Sequence, residues 1–386
     1  MNILHICLCG QFNESMSYQD NLLTKYHSLQ GHQVTIIAPT LKFDLGGKSI
    51  IDLKEESDTI INDNIRLLRI KYKYKISRKI NDKLRIYQGL YSRIEHINPD
   101  FIFIHGVQFF DALEIVRYLE NHPHVKAVAD NHADCHNSAN GFVSRNILHK
   151  ILWKYTAQKL ASVCQVIYGV TPNRCTFLHE MYDIPLDKIK LLPLAADNYL
   201  IETKEKSFDK EEFKHKHNIS EGLRIISTGG KLDAKKNISV LLKSLDAIKT
   251  KDFVLLLFGG INDETLERDL VNYPFVKYLG WQGQEDIIDN FLASDLVCFP
   301  GTHSVLWEQS IACGVPGVFN KIEGMEHVLI NENVLLVNGN NKEELYKSIS
   351  TLLNDTPMYE KMKSNAKIAS SSFFYSEIAK RALNCI

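Results

Sequence analysis

The sequence carries almost no net charge: Lys and Arg total 45, Asp and Glu total 46, leaving −1 at neutral pH. A dedicated nucleic-acid binder would have a strongly basic balance, so that class is set aside. None of the eight cysteines forms a C-x-x-C pair, which excludes a zinc ribbon and a dithiol redox motif. Several cysteines lie in apolar runs, as reduced buried thiols do, and a reducing compartment is expected. No apolar run approaches the ~20 residues that span a bilayer. The first strand-like segment starts directly after Met1 and opens into a loop, unlike a secretory leader. The expectation is a cytoplasmic protein, whose attachment to the inner face of the plasma membrane, if any, is peripheral. There is no fixed-period repeat and no low-complexity tract.

What is present is α/β alternation. A chain of 386 residues suits two domains at ~100–200 residues each. Short apolar runs at 2–8, 33–38, 101–105, 125–129 and 163–170 read as strands, and residues 18–29 have helical spacing. Between 197 and 221 the apolar periodicity fades into charge. Alternation then restarts, with strands at 224–228, 253–258, 276–279 and 296–299 and helices at 238–248 and 305–313. Such alternation indicates βαβ units around parallel sheets buried on both faces. The expected architecture is two Rossmann-like domains with parallel sheets facing a central cleft. The first spans 1–197 and the second 222–370. Residues 198–221 read as a linker, and 371–386 as a C-terminal helix that can return to the first domain. Ligands of such sheets bind beyond the carboxyl ends of the strands, so polar residues just after each strand carry most interest.

Two segments stand out. Residues 227–237 (Ser-Thr-Gly-Gly-Lys-Leu-Asp-Ala-Lys-Lys-Asn) join a strand to a helix. Gly229 and Gly230 allow close backbone approach, and Lys231 and Lys236 place positive charge where a diphosphate would lie, near a helix start. The plainer alternative is an ordinary turn with solvated lysines. Residues 298–316 pass from a strand through a small-residue loop into an apolar helix. The amides of His303, Ser304 and Val305 fall at its start, and Glu308 and Gln309 one turn in. That polar pair is either an exposed edge or faces a ligand.

These segments resemble glycosyltransferase family 4, the group 1 class with the GT-B fold. The family's G-R-L-x-x-x-K-G is matched at 230–237, with Lys231 in place of arginine, Lys236 retained and Asn237 in place of the last glycine. Residues 193–197 (Pro-Leu-Ala-Ala-Asp) echo P-N-G-V-D, and 309–316 (Gln-Ser-Ile-Ala-Cys-Gly-Val-Pro) echo E-A-M-A-C-G-x-P. The set covers nearly the whole chain in the right order. The resemblance implies that Lys231 and Lys236 bind the donor diphosphate and act in catalysis. Two family glutamates, eight positions apart, fall on Gly301 and Gln309. The first contacts the donor sugar in the family and is absent here. The second binds the nucleotide ribose, for which Gln309 stands by register and Glu308, about 100° round the helix, is the alternative.

In the first domain, residues 129–136 (Ala-Asp-Asn-His-Ala-Asp-Cys-His) follow a strand, and His132 matches a family histidine that reaches the donor sugar. The same cluster also reads as simple loop filling or as a metal site, though no partner cluster exists elsewhere and no metal is implied. Gly10 and Gln11 lie where the family keeps its acceptor-side loop, a poor match. Residues 71–85 hold seven basic residues against Asp82. They read as a solvated face or as a patch for an anionic membrane surface near a lipid-linked acceptor. The implied function is retaining, metal-independent and cofactor-free transfer from a nucleotide-diphosphate sugar to a glycan or lipid-linked glycan, as in bacterial surface polysaccharide assembly. The rival readings are a non-catalytic nucleotide-sugar-binding partner of another transferase and a nucleotide-sugar epimerase of the same architecture.

Overall fold

Runs of β-branched, leucine and phenylalanine residues set the strands of this computed structural model, which describes residues 1–386 except 15, 45–48, 62–63, 136 and 385–386. In chain order the strands are β1 (Asn2–Ile6), β2 (Gln33–Pro39), β3 (Leu41–Phe43), β4 (Ile50–Asp52), β5 (Ser57–Ile61), β6 (Ile65–Ile70), β7 (Phe101–Ile104), β8 (Lys126–Asn131), β9 (Val166–Gly169) and β10 (Ile189–Leu191). They are followed by β11 (Arg224–Gly229), β12 (Phe253–Phe258), β13 (Val276–Tyr278), β14 (Leu296–Phe299), β15 (Gly317–Asn320) and β16 (Val334–Val337).

The chain divides into two compact units, Met1–Pro193 with Ile378 onward, and Leu194–Glu377. In the first, eight strands lie in the order β10-β9-β8-β7-β1-β2-β6-β5. All pair in parallel except β5, which runs antiparallel to β6 with Ser57 opposite Arg69. The central strands are buried along their length, Phe101–Ile104 completely, as a sheet covered on both faces requires. Helices Gln19–Leu29, Leu90–Ile97, Ala112–Asn121, Lys154–Val163 and Pro172–Tyr182 supply the cover. Strand order reverses at β1, whose neighbours are β2 and β7. The loops leaving β1 and β7 therefore flank the position where a doubly wound sheet opens to ligands.

The second unit has the order β13-β12-β11-β14-β15-β16, all parallel. Counted from β11 this is 3-2-1-4-5-6, the order of a dinucleotide-binding Rossmann sheet. Its switch point lies between β11 and β14, and the loops that leave those two strands carry the two segments singled out in the sequence.

The stretch expected as a linker is structured. Asn198–Glu205 and Lys210–Lys216 are helices, each with an aspartate cap, Asp197 on Leu200 N at 3.3 Å and Asp209 on Glu211 N at 2.8 Å. Their apolar content is sparse, with Ile201 and Phe213 the buried apolar residues of the two helices, which is why the periodicity is faint. Residues 71–85 are helical only over Arg78–Leu84. The last helix, Tyr375–Leu383, passes into the first unit, where the Ala379 carbonyl meets His27 Nε2 at 3.1 Å.

Candidate functional site

Glycine makes the first half of the site. A Cβ on Gly229 would strike the Phe258 ring at 2.3 Å, and one on Gly259 would lie 1.8 Å from the Gly230 carbonyl oxygen. Gly230 and Gly259 both have positive φ, +114° and +116°, which residues with a Cβ rarely adopt. The loops after β11 and β12 can therefore run side by side. Gly230 N donates to Phe258 O at 3.0 Å and Leu232 N to Gly260 O at 2.9 Å. A single helical turn, Ala234–Lys236, follows, with Asp233 accepting from Lys235 N at 3.0 Å. Asn237 then adopts the left-handed conformation, φ 55° and ψ 28°. This explains the asparagine at a position where the family has glycine, since these two residues are the ones that tolerate that conformation well.

The loop after β14 is fastened to this turn. Asn237 Nδ2 donates to Pro300 O at 2.9 Å, Thr302 N to Lys235 O at 3.0 Å and Lys236 Nζ to Thr302 O at 2.6 Å. Burial draws the Lys236 ammonium below the ordinary lysine value, with Asp233 opposing. Lys231 is exposed at the mouth of the turn. Gly301 is the point of closest approach: a Cβ there would lie 2.3 Å from Lys236 Cα and 2.4 Å from Lys235 O. The glutamate missing at this position cannot be accommodated while these loops touch. The space beside Gly230 ends on Leu306 Cδ1, 3.3 Å from where its Cβ would be.

The helix Leu306–Ala312 is buried at all seven positions, so neither Glu308 nor Gln309 is an exposed edge. Glu308 is fully buried, and its carboxylate accepts from His303 Nε2 at 2.8 and 3.0 Å and from His327 Nε2 at 3.0 Å. Burial alone would raise its pKa; the charge and hydrogen bond of His303 and those of His327 prevail and hold it at about 2. His327 is a partner the sequence did not reveal, since it lies 19 residues beyond Glu308 with no motif linking the two. Nε2, Nε2 and a carboxylate oxygen all within 4.8 Å also make this the one group among the described residues with metal-ligand chemistry. Two N–H donors on one carboxylate satisfy it without an ion. Gln309 is 7% exposed beside it. Ser304 Oγ and Trp307 Nε1 on this loop and helix, and Nδ1 of His327 from a later turn, are buried polar atoms with no protein partner.

Gly230, Lys231, Lys236, His303, Ser304, Val305, Glu308 and Gln309 thus share one corner of the second unit. His132, Gly10 and Gln11 belong to the first. His132 is exposed just past β8, with Nε2 at 3.4 Å from Asp130 Oδ2. Asp134 does not gather with it as a ligand. It exchanges hydrogen bonds with Asn137 at 2.8 and 2.9 Å and pairs with Arg174 at 3.3 Å. His136, named in the metal reading, lies outside the described residues. Gly10 has no atom within 4 Å of where its Cβ would be, so packing there does not require a glycine.

Two Rossmann-like units of this kind define the GT-B class of glycosyltransferases. Residues 209–369, within the second unit, match the family described as glycosyl transferases group 1. No curated protein matches the chain. Among solved structures, it is similar to sucrose-phosphate synthase from Thermosynechococcus elongatus, at TM-score 0.69 and 15% identity over 99% of this chain and 97% of that one. It is also similar to Anabaena HepE in complex with UDP, at TM-score 0.67 and 16% identity over 100% and 99%. A third is WaaG, a glycosyltransferase involved in lipopolysaccharide biosynthesis, at TM-score 0.65 and 13% identity over 99% of both chains. At these identities the likeness is one of fold.

Gly301→Ala tests the loop contact. The added methyl overlaps the backbone of Lys235 and Lys236, a form of overpacking that costs about 1–3 kcal/mol. The melting temperature should fall and the Thr302 amide should exchange faster with solvent. An unchanged melting temperature and an equally protected Thr302 amide would show that the two loops are not held together here.

Proposed function

We propose that the protein is a retaining glycosyltransferase that moves a sugar from a nucleotide-diphosphate donor to an acceptor hydroxyl in bacterial surface polysaccharide assembly. The observation that carries this reading is the fastening of the Gly230–Lys236 turn to residues 300–305 at the strand switch point of a group 1 domain. In the reaction the bond between the sugar's anomeric carbon and the β-phosphate oxygen breaks, and its electron pair leaves with the nucleoside diphosphate. The acceptor oxygen bonds the anomeric carbon on the same face. Its proton passes to the departing phosphate or to solvent. Negative charge grows on the diphosphate, and Lys231, Lys236 and the amides of His303, Ser304 and Val305 stabilise it. Lys236 is already aimed by Thr302, so little reorganisation accompanies the step. Gln309 holds the ribose. Glu308, committed to His303 and His327, supports His303 from beneath. His132 hydrogen-bonds the transferred sugar. The solved relative that contains UDP favours a uridine nucleotide as the first donor to try.

Lys236→Ala should lower turnover by ~10²-fold or more, by analogy with loss of a donor to developing charge, and donor affinity by less. Lys235→Ala is the internal control, because Lys235 meets Thr302 through its backbone carbonyl. Transfer should also survive EDTA. Equal effects of the two substitutions, or loss of activity on chelation that Mg²⁺ or Mn²⁺ restores, would overturn this assignment. The second result would turn attention to His303, Glu308 and His327.

Attachment to an anionic membrane surface forms part of the proposal. Lys73, Lys75, Arg78, Lys79 and Lys83 are exposed, and so are Tyr74, Ile76 and Ile80 among them. Lys71 instead pairs with Glu55 at 3.1 Å, and Arg85 donates to Gln108 O at 2.6 Å. A second exposed apolar stripe, Phe142, Val143, Ile147, Ile151 and Tyr155, follows the wide helical turns of Ser144–Trp153, with Arg145 and Lys150 exposed beside it. Apolar side chains set among cations suit the headgroup region. Replacing Lys73, Lys75 and Lys79 with Gln should weaken cosedimentation with phosphatidylglycerol vesicles, each lysine contributing about 1 kcal/mol. UDP binding should not change. Equal cosedimentation of the two proteins would return the stretch to a solvated face.

A further inference from the structure

At the switch point of the first unit three histidines are buried in a row. His27 Nε2 lies 3.1 Å from the Ala379 carbonyl, and His27 Nδ1 is 3.0 Å from His5 Nε2. His5 Nδ1 is 2.9 Å from His105 Nε2, and His105 Nδ1 is 3.2 Å from Asp130 Oδ2. His5 and His27 have no exposed surface, and Asp130 has none either.

The ends of this chain fix its protons. A carbonyl oxygen only accepts, so His27 carries its proton on Nε2 and its Nδ1 is bare. His5 must then donate from Nε2, and its bare Nδ1 requires a proton on His105 Nε2. His105 Nδ1 faces a carboxylate oxygen, and that contact also needs a proton. Four contacts need four protons, and three neutral imidazoles supply three. Asp130 is furnished for the ionised form: its Oδ1 accepts from Gly106 N at 2.8 Å, and Oδ2 faces both His105 and His132.

We propose that the first unit holds one extra proton on this chain, lodged on His105 against the Asp130 carboxylate, and that His105 and Asp130 are positioning residues for His132. An ionised Asp130 draws the Nε2 proton of His132 inward. The Nδ1 lone pair of His132 is left facing outward, so His132 presents an acceptor to a ligand hydroxyl. That last role rests on the reading of His132 as a sugar contact.

The surrounding groups agree with this distribution. Burial, and then the neighbouring imidazoles, holds His5 well below its ordinary value; burial lowers His27 to about 4. Burial pushes Asp130 up, but the charges and hydrogen bonds of His132 and His105 outweigh it and leave it well below the usual carboxylate range. Asp20, at the start of helix Gln19–Leu29, is a second carboxylate within electrostatic reach of His105, His132 and Asp130. Burial keeps the thiols of Cys7 and Cys9 protonated, so neither adds an anion. His32 lies beyond His27, ring to ring at 6.3 Å.

Ring-¹⁵N histidine labelling with long-range ¹H–¹⁵N correlation at pH 7.5 reads the protons directly. The wild-type protein should show His5 and His27 as Nε2–H tautomers, His105 protonated on both nitrogens, and His132 as the Nε2–H tautomer. Asp130→Asn should return His105 to one proton and release the His132 tautomer. It should weaken UDP-glucose binding at least ~10-fold, as loss of one well-placed hydrogen bond does, and leave UDP binding unchanged. A wild-type His105 with a single proton overturns the proposal whether or not the variant folds. An unchanged His132 tautomer in folded Asp130→Asn overturns the positioning role. A protein that shows the four expected protonation patterns but binds no nucleotide sugar would instead refute the transferase reading and leave the proton in place.

Discussion

The second unit depends on one close approach, that of Gly301 to the backbone of Lys235 and Lys236. A parallel sheet with the order 3-2-1-4-5-6 opens its ligand crevice between its first and fourth strands, but topology alone leaves the two bordering loops independent. Here a missing side chain lets them touch, and Thr302 N, Lys236 Nζ and Asn237 Nδ2 fasten them. A lysine that would otherwise sweep through solvent is thereby aimed. Anion recognition by a fixed ammonium is stronger than by a mobile one, because the ordering cost falls on folding and not on binding. A glutamate side chain at position 301 and this loop contact exclude each other.

Much of this was legible in the sequence because backbone constraints leave a residue signature. Apolar runs of four to eight residues marked most strands. Gly229 and Gly230 marked a turn where the backbone can be approached closely. Glu308 and Gln309 were recognised as a polar pair in an apolar helix, but side-chain partners are long-range facts. Nothing in residues 303–309 states that His327 will arrive from a later loop to share the carboxylate. The helices at 198–216 were missed for a different reason. They are held by capping aspartates and two buried apolar residues, Ile201 and Phe213, which is too weak a periodic signal to rise above the charge around it. The antiparallel edge strand Ser57–Ile61 pairs through its backbone while most of its side chains face solvent, so its composition does not announce a sheet.

The histidine chain of the first unit illustrates the limit most sharply. His105 follows a strand and so lay at a position of interest, and His132 was singled out. His5 sits inside an apolar strand and His27 on a helix, where each alone reads as a core histidine. Their meaning depends on a carbonyl more than 350 residues away in sequence. Once a carbonyl closes one end and a carboxylate the other, the number of protons follows from valence. The two units thus present opposite electrostatic designs at equivalent places in their sheets. The second holds cations beside solvent, and the first buries a cation paired with a carboxylate.

The most direct test of the central claim is where a nucleoside diphosphate binds. A crystal structure of the protein with UDP should show both phosphates against Lys231 and Lys236 in the second unit, bordered by residues 300–305, with the Lys236–Thr302 contact kept. Phosphates bound elsewhere on that unit, with Lys231 and Lys236 left to solvent, would contradict it.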